Sequence, residues 1–173
     1  MLSDKWDIAH IALVVDDLEA AMTQYGDALG FEWSPIIELP PELETKSDVF
    51  AGGVSHDGLR AVLSRSGSAA VGDGVFAPLE LAHAAPSTPA SMMWGCPDGR
   101  HFIHHVAYYV DDVDAESAHL RAQGFAREWY VEREDGRLEM VYHRAANGMR
   151  FELQDSSIKQ RATEFLRNGT PSR

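Results

Sequence analysis

The chain of 173 residues is 45% hydrophobic and 24% charged, which is typical of one folded domain or two small coupled modules rather than of a disordered chain. Its net charge of −12 disfavours nucleic acid and anionic membranes as partners, and no apolar run approaches the roughly 18 residues of a membrane span. With no signal-peptide pattern and a single cysteine, Cys96, the sequence predicts a soluble cytoplasmic protein without a disulfide framework or a multi-cysteine zinc site.

The first predicted element is a strand over IAHIALVV, residues 8–15, which is rich in β-branched and apolar side chains. The acidic pair at 16–17 follows it and is placed to cap a helix whose apolar residues recur at helical spacing. Gly30 stands where a glycine ends many helices. After a longer irregular stretch, the apolar-acidic segment PLELAH at 78–83 predicts the last strand of this half.

The second half of the chain begins by repeating the first. The segment AHIALVVDDL at 9–18 aligns without gaps with HHVAYYVDDV at 104–113, which is an offset of 95 residues. This alignment places His10 over His105 and the first acidic pair over the second.

The match continues downstream in the same order. The Gly-Phe pair at 30–31 aligns with the pair at 124–125, and PLELAH aligns with RFELQD at 150–155. The last alignment places Glu80 over Glu152. Three matches in one order indicate a duplicated module, since chance explains a single short match far better than an ordered set.

The second half reads as strand, helix and three strands, the last three being AREWYVE, RLEMVYHR and GMRFELQD. We therefore predict an α+β fold of two tandem βαβββ modules, related by a pseudo-two-fold axis and forming a cupped site on a mixed β-sheet. The predicted divisions are a first module at 1–83, a linker at 84–100, a second module at 101–156, and a C-terminal helix and tail at 157–173. The extra length of the first half lies in predicted loops around 38–48 and 64–77.

The repeat also pairs residues that carry chemistry. His10 and His105 lie on first strands, while Glu80 and Glu152 lie on last strands, so a two-fold axis between the modules could bring all four to one point. A single strand histidine or glutamate is more often structural, but apolar flanks make an unpaired ionisable group costly here. Two imidazoles and two carboxylates suit one divalent metal ion, and nickel, cobalt, manganese, zinc and iron all remain open.

These segments resemble the vicinal oxygen chelate superfamily, which includes glyoxalases, bleomycin-resistance proteins and dioxygenases. AHIALVVDDLEAAMTQYGDALGF resembles its opening strand and helix, HHVAYYVDDVDAESAHLRAQGF resembles its second copy, and PLELAH and RFELQD resemble its closing strands. The resemblance implies paired βαβββ modules around a metal, with His10, Glu80, His105 and Glu152 as ligands by position. The pattern is most similar to those of methylmalonyl-CoA epimerases and glyoxalase I.

That resemblance implies a metal-dependent isomerase or lyase that moves a proton beside a carbonyl of a small-molecule substrate. Glu80 or Glu152 could then serve both as a metal ligand and as the base. The catalytic glutamate of the epimerases aligns with His56, which makes this residue a further candidate for proton transfer. Alternatively, His56 belongs to an ordinary polar turn, because His-Asp-Gly is good turn chemistry.

Two other functions remain open at this stage. One is an iron-dependent ring-cleaving dioxygenase of the same superfamily, although a fourth protein ligand would occupy a position that oxygen needs. The other is a metal-free protein that sequesters a small molecule, as bleomycin-resistance proteins do. The resemblance also implies a homodimer, whereas the substrate cannot be predicted from the sequence.

Three expectations concern neighbours of the candidate ligands. Strand alternation predicts that His104 points to the face opposite His105. Either Tyr142 or His143 lines the cup, or the two form an ordinary strand pair. The linker residues 92–94, Met-Met-Trp, either cover the mouth of the site or anchor the linker in the core.

Overall fold

The structure is a computed structural model that describes residues 6–39, 45–65 and 79–168. The prolines at 40–41, most of the predicted loop at 64–77 and the last five residues of the chain lie outside the described residues. No helix in the described part of the chain is both long and apolar enough to cross a membrane.

The elements follow the predicted order in each half. The first half contains β1 (Asp7–Val14), α1 (Leu18–Leu29), β2 (Glu32–Trp33), β3 (Ile37–Glu38), β4 (Leu59–Arg65) and β5 (Leu79–Ala84). The connection carries a short helix, α2 (Ser91–Trp94), and a 3-10 turn at Pro97–Gly99. The second half contains β6 (Phe102–Val110), α3 (Val113–Ala122), β7 (Ala126–Glu132), β8 (Leu138–Arg144), β9 (Arg150–Asp155) and α4 (Ile158–Asn168).

The strands form one mixed sheet in the order β2-β4-β5-β1-β6-β9-β8-β7, with β3 also paired to β4. The order reads alike from both ends, because β1 pairs with β5 in parallel as β6 pairs with β9, and β1 meets β6 antiparallel at the centre. This arrangement confirms the predicted α+β fold of two βαβββ modules. In the first module, the strand equivalent to β7 is split into the short β2 and β3.

Local sequence signals explain where the two long helices begin and end. Asp17 and Asp112 are the N-caps, and their side chains accept hydrogen bonds from Ala20 N at 2.8 Å and Ala115 N at 3.0 Å. Gly30 ends α1 in the left-handed conformation, with φ at 71°, as its position predicts.

The two long helices α1 and α3 cover one face of the sheet. The helix α1 buries Leu18 and Ala21 against Val62 and Leu81, and α3 does the same in the second module with its own apolar cluster. The other face is curved into a cup, since side chains from β3 at one end and β7 at the other line the same cavity. The side chains that form the apolar part of this cup include Leu59, Trp94, Trp129 and Tyr142.

One segment joins the two ends of the sheet. Residues 45–58, which we call the strap, run from the first module to β7, where Lys46 and Tyr130 exchange backbone hydrogen bonds of 3.0 and 2.9 Å. The carboxylate of Asp48 accepts two hydrogen bonds, of 2.8 and 2.9 Å, from the guanidinium of Arg127. The strap therefore connects the outer edges of the two modules across the cup.

Candidate functional site

The register of the two central strands aims both candidate histidines into the cup. His10 pairs with Ala107, and Ala12 pairs with His105, so the two pairs are repeat equivalents of each other, related by the pseudo-two-fold axis. Residues that are paired across neighbouring strands share a face of the sheet, and so do residues two apart on one strand. The two histidines consequently lie on one face, separated by two alanines that are fully buried.

The parallel partners of the central strands bring the two glutamates to the same face. Glu80 on β5 pairs with Ala12, and Glu152 on β9 pairs with Ala107. The alanines carry only a methyl group, so they leave space for the longer side chains around them. All four residues predicted from the repeat are thus brought together.

The donor atoms of these four residues converge closely. Nε2 of His10 lies 2.7 Å from Oε2 of Glu80, 3.2 Å from Oε2 of Glu152 and 2.9 Å from Nε2 of His105. Nε2 of His105 lies 3.0 Å from Oε2 of Glu152 and 3.8 Å from Oε2 of Glu80. Three of these residues, His10, Glu80 and His105, form a group that could hold a metal ion.

The orientation of the donors fits a cation better than a network of hydrogen bonds. Oε2 of Glu152 is buried without a hydrogen bond of acceptable geometry among the described residues, although two imidazole nitrogens lie near it. The two histidines also turn their Nε2 atoms toward each other. A metal–nitrogen bond of about 2.1 Å puts ligands at right angles roughly 3 Å apart, which is close to the spacing found here.

The two carboxylates of this four-residue group favour a positive charge between them. Burial lowers the pKa of His10, but the adjacent Glu80 and Glu152 outweigh burial and raise this pKa to about 10. Burial likewise raises the pKa of Glu152, yet the adjacent imidazoles of His10 and His105 hold this pKa well below its ordinary range. A proton on an imidazole supplies the required charge, and a divalent ion would supply more of it.

Two cavities adjoin the group. One, of about 180 Å³, is bounded by His10, Glu80 and Glu152 and otherwise mainly by apolar side chains. A second, of about 300 Å³, shares His10 with the first and lies against α4, where Arg161 lines it. The donor atoms therefore face space in which a small molecule can lie.

His104 shows where strand alternation failed as a predictor. A register shift opposite β1 makes a β-bulge, so that His104 lies on the same side as His105 and not on the opposite face. Its ring stacks on Trp94 at 4.2 Å, and its Nδ1 lies 3.0 Å from Nδ1 of His105, in a hydrogen bond between the two rings. The expectation for its face was wrong because alternation holds only in a regular strand.

The structure separates Tyr142 from His143, which the sequence left undecided. Tyr142 points into the cup, where its hydroxyl lies 3.4 Å from Nε2 of His105 and burial raises its pKa well above the ordinary value. His143 points to the opposite face, where it bonds to the hydroxyl of Ser117 at 2.9 Å.

The Met-Met-Trp segment combines the two roles considered for it. Met93 and Trp94 are buried and Trp94 lines the smaller cavity, whereas Met92 is 82% exposed. The segment therefore anchors the connection between the modules and also forms part of the wall of the site.

His56 is not brought to the other candidates. Its side chain is fully buried edge-on to Trp129, at 4.7 Å between ring centroids, and burial lowers its pKa to about 4. Trp129 stacks in turn on Tyr142 at 4.1 Å. His56 is not among the described residues that line the two cavities, and its catalytic role stays a prediction.

Sequence reasoning missed two residues of the site. Gln154 donates a hydrogen bond of 2.9 Å from Nε2 to Oε1 of Glu152 and lines both cavities. Its position two residues after Glu152 on the same strand is a signal that could have revealed it. Trp129 forms a wall of the cup from the far edge of the sheet, and no local signal places it there.

Comparison with known proteins gives a family and a fold. The sequence model of the Glyoxalase/Bleomycin resistance protein/Dioxygenase superfamily matches residues 9–142. No curated protein matches the chain.

Solved structures with the same fold include two methylmalonyl-CoA epimerases. The Streptomyces coelicolor enzyme, solved in complex with 2-nitronate-propionyl-CoA, shares 22% identity over 89% of this chain and 99% of its own, with a TM-score of 0.57. The Mycobacterium tuberculosis enzyme shares 22% identity over 94% of this chain and 97% of its own, with a TM-score of 0.55. A hypothetical protein from Bacillus halodurans shares 16% identity over 87% and 94%, with a TM-score of 0.55.

Proposed function

The chain belongs to the glyoxalase/bleomycin resistance protein/dioxygenase superfamily, and on that premise we propose that it is a metal-dependent isomerase or lyase of the glyoxalase and epimerase type. It would move a proton beside a carbonyl group of a small-molecule substrate. The observation that carries this proposal is the convergence of two imidazoles and two carboxylates in a buried cup, with separations of 2.7 to 3.8 Å. The epimerases of similar fold support it at the level of the fold.

We assign His10, Glu80, His105 and Glu152 to hold one divalent ion, which would be nickel, cobalt, manganese, zinc or iron. When bound, this ion would stabilise the negative charge that develops on a substrate oxygen as the neighbouring carbon loses its proton. On an ion with six ligand positions, two imidazoles and two carboxylates would leave two positions for substrate oxygens.

Glu80 is better suited than Glu152 to carry the proton. Oε1 of Glu152 is held by Gln154, and its side chain is only 2% exposed. Glu80 has no such amide partner among the described residues, is 15% exposed and borders the smaller cavity. Its carboxylate can therefore turn toward a substrate carbon, accept the proton and return it. His56 lies behind Trp129, so the proposal does not use it for proton transfer.

The test begins with the metal content of protein purified without chelator. About one equivalent of a divalent ion is expected in the wild type and none in a His10→Ala/His105→Ala double variant. His119→Ala is the matched control, because His119 is an exposed histidine on α3. Proton transfer is then followed by deuterium uptake from heavy water into methylmalonyl-CoA and 2-hydroxyacetophenone, both of which carry a proton beside a carbonyl. A protein that binds no metal after reconstitution would contradict the proposal.

The same measurements separate the two alternatives. Bound iron together with oxygen consumption would favour a ring-cleaving dioxygenase. Small-molecule binding without any metal would favour a sequestering protein. We also retain the prediction that the protein is a cytoplasmic homodimer without nucleic-acid or membrane partners. Sedimentation tests the oligomeric state, and cell fractionation tests the location.

A further inference from the structure

We propose that the substrate carries an apolar ring of about benzene size next to its two metal-binding oxygens. This inference rests on the proposed function, because the oxygens are placed at the His-Glu group. It concerns the smaller cavity, which adjoins that group directly.

The size of this cavity sets the size of the occupant. It measures about 180 Å³ and extends from the carboxylates of Glu80 and Glu152 into the cup. An apolar protein cavity of about 150 Å³ is known to hold benzene, so a single ring fits in this space. The ring would lie on the side of the group that faces away from the buried alanines of the central strands.

The walls decide that the occupant is apolar. They are formed largely by Ile37, Leu59, Leu63, Trp94, Trp129 and Met140, with Tyr142 beside them. Trp129 and Tyr142 are held stacked at 4.1 Å, and Trp94 meets Tyr142 edge-on at 6.1 Å. These aromatic side chains are already ordered, so a planar ring gains stacking and edge contacts without further ordering of the walls.

The charged side chains around this cavity disfavour an anionic group of the substrate inside it. Within the described ranges, no lysine or arginine lines it. Arg150, which is on the same strand face as Glu152, is bound to the buried carboxylate of Glu128 at 2.6 Å. Arg161 lines the larger cavity by α4 and not the smaller one, although its guanidinium also contacts Glu139 at 2.9 Å. A charged group of the substrate would therefore lie on the side of the larger cavity, and the ring would lie in the smaller cavity.

The experiment compares two ligands that differ only in the group attached to the oxygens. Mandelate and lactate are both 2-hydroxy acids, but mandelate carries a phenyl group where lactate carries a methyl group. Isothermal titration calorimetry on the metal-loaded protein is expected to show mandelate binding at least about tenfold more tightly, because the ring buries additional apolar surface. Equal affinities would overturn the inference.

Filling the cavity provides the matched variants. Ala61 lines it, so Ala61→Leu is expected to bring the affinity ratio of the two acids close to one while the metal content is unchanged. The same substitution at Ala126, which is exposed on β7, is expected to leave the ratio as in the wild type. Met140→Phe fills the cavity from the second module and serves if Ala61→Leu does not fold.

A metal-free arm distinguishes failure of this inference from failure of the proposed function. Benzyl alcohol is expected to bind the protein after a chelator has removed the metal. This binding is expected to be lost in the Ala61→Leu variant. If no metal binds but benzyl alcohol binds, the ring cavity stands and the proposed chemistry fails. If metal binds, but benzyl alcohol does not bind and mandelate binds no more tightly than lactate, the proposed chemistry stands and the ring cavity is refuted.

Discussion

At the scale of single residues, the four donor side chains are equivalent in the repeat but not in their surroundings. Glu152 is fixed through Gln154 and is 2% exposed, whereas Glu80, its repeat equivalent, lacks an amide partner in the described structure and is 15% exposed. His105 is flanked by His104, while His10 is flanked by Ala9. The symmetry of the fold therefore supplies the candidate ligand set, and its local departures are the basis of the different tasks that we propose for the two glutamates.

The two glutamates give a paired prediction. Glu80→Gln is expected to lower deuterium uptake by the substrate at least about 100-fold while the ion stays bound, because an amide oxygen can remain a ligand but cannot accept a proton. Glu152→Gln is expected to act mainly on metal affinity, because the carboxylate of Glu152 is only 2% exposed and lies 3.2 and 3.0 Å from the two histidines. Metal analysis and exchange followed by nuclear magnetic resonance check both variants. The reverse pattern would assign the proton transfer to Glu152.

His104 gives a second prediction at this scale. Its Nδ1 holds Nδ1 of His105, so it fixes the orientation in which His105 turns Nε2 to the candidate metal site. His104→Phe preserves the stack on Trp94 but removes this hydrogen bond, and it is expected to weaken metal binding about 10- to 100-fold. Titration with cobalt, followed by its visible spectrum, measures the change. Unaltered affinity and spectrum would show that His104 only fills space.

At the scale of elements, the strap is a part of the first module that has no equivalent among the described residues of the second. It crosses to β7 and orders the wall that contains Trp129, through backbone pairing at Lys46 and the ion pair of Asp48 with Arg127. The turn that leads the strap back to the first module contains two glycines with positive φ, Gly52 at 89° and Gly53 at 81°. Only the second of these is confined by neighbouring backbone.

Alanine substitutions at the two glycines therefore form a matched pair. A Cβ atom at Gly53 would lie 2.1 Å from the carbonyl oxygen of Thr45, whereas one at Gly52 would meet nothing within 4 Å. Gly52→Ala is expected to cost about 1 kcal/mol from the left-handed backbone alone, and Gly53→Ala roughly 2–4 kcal/mol because the strap must also shift. Urea denaturation measures both. Equal losses would mean that the strap adapts without difficulty.

At the scale of the whole molecule, stability depends on how many histidines are buried in neutral form. His56 and His143 are fully buried, and burial is the main cause that lowers the pKa of each to about 4. His56 lies on the cup side of the sheet, against Trp129, and His143 lies on the opposite side, beneath α3. Their protonation therefore affects the packing on both faces of the sheet. The unfolded chain binds protons at these positions near pH 6.5.

Acidification is therefore expected to destabilise the protein between about pH 6.5 and pH 4. In this window the unfolded chain holds more protons than the folded one, so the free energy of unfolding falls as pH falls, by up to about 1.4 kcal/mol per pH unit for each histidine. Urea denaturation at several pH values measures the slope, which His143→Phe is expected to reduce. An unchanged slope in that variant would contradict the assignment of His143.

The candidate ligands and the fold could be predicted from the sequence because both depend on the repeat. Alternating strands, helix caps such as Asp17 and the glycine after α1 are set by neighbours in the chain, so local chemistry suffices to predict them. Once the two modules are equivalent, the pairing of His10 with His105 and of Glu80 with Glu152 follows from symmetry. The contacts that break the symmetry were not accessible in this way.

The sequence by itself thus determined the duplicated βαβββ modules, the face that carries the four donors and the absence of a disulfide framework. Only the tertiary structure decided that His104 bulges to the side of His105, that Trp129 and not His56 lines the smaller cavity, and that the strap crosses to β7. The physical reason is that repeats and periodicity are properties of nearby positions, whereas a bulge, a crossing segment and the wall of a cavity arise from contacts between distant ones. Such contacts are fixed when both modules pack around one sheet.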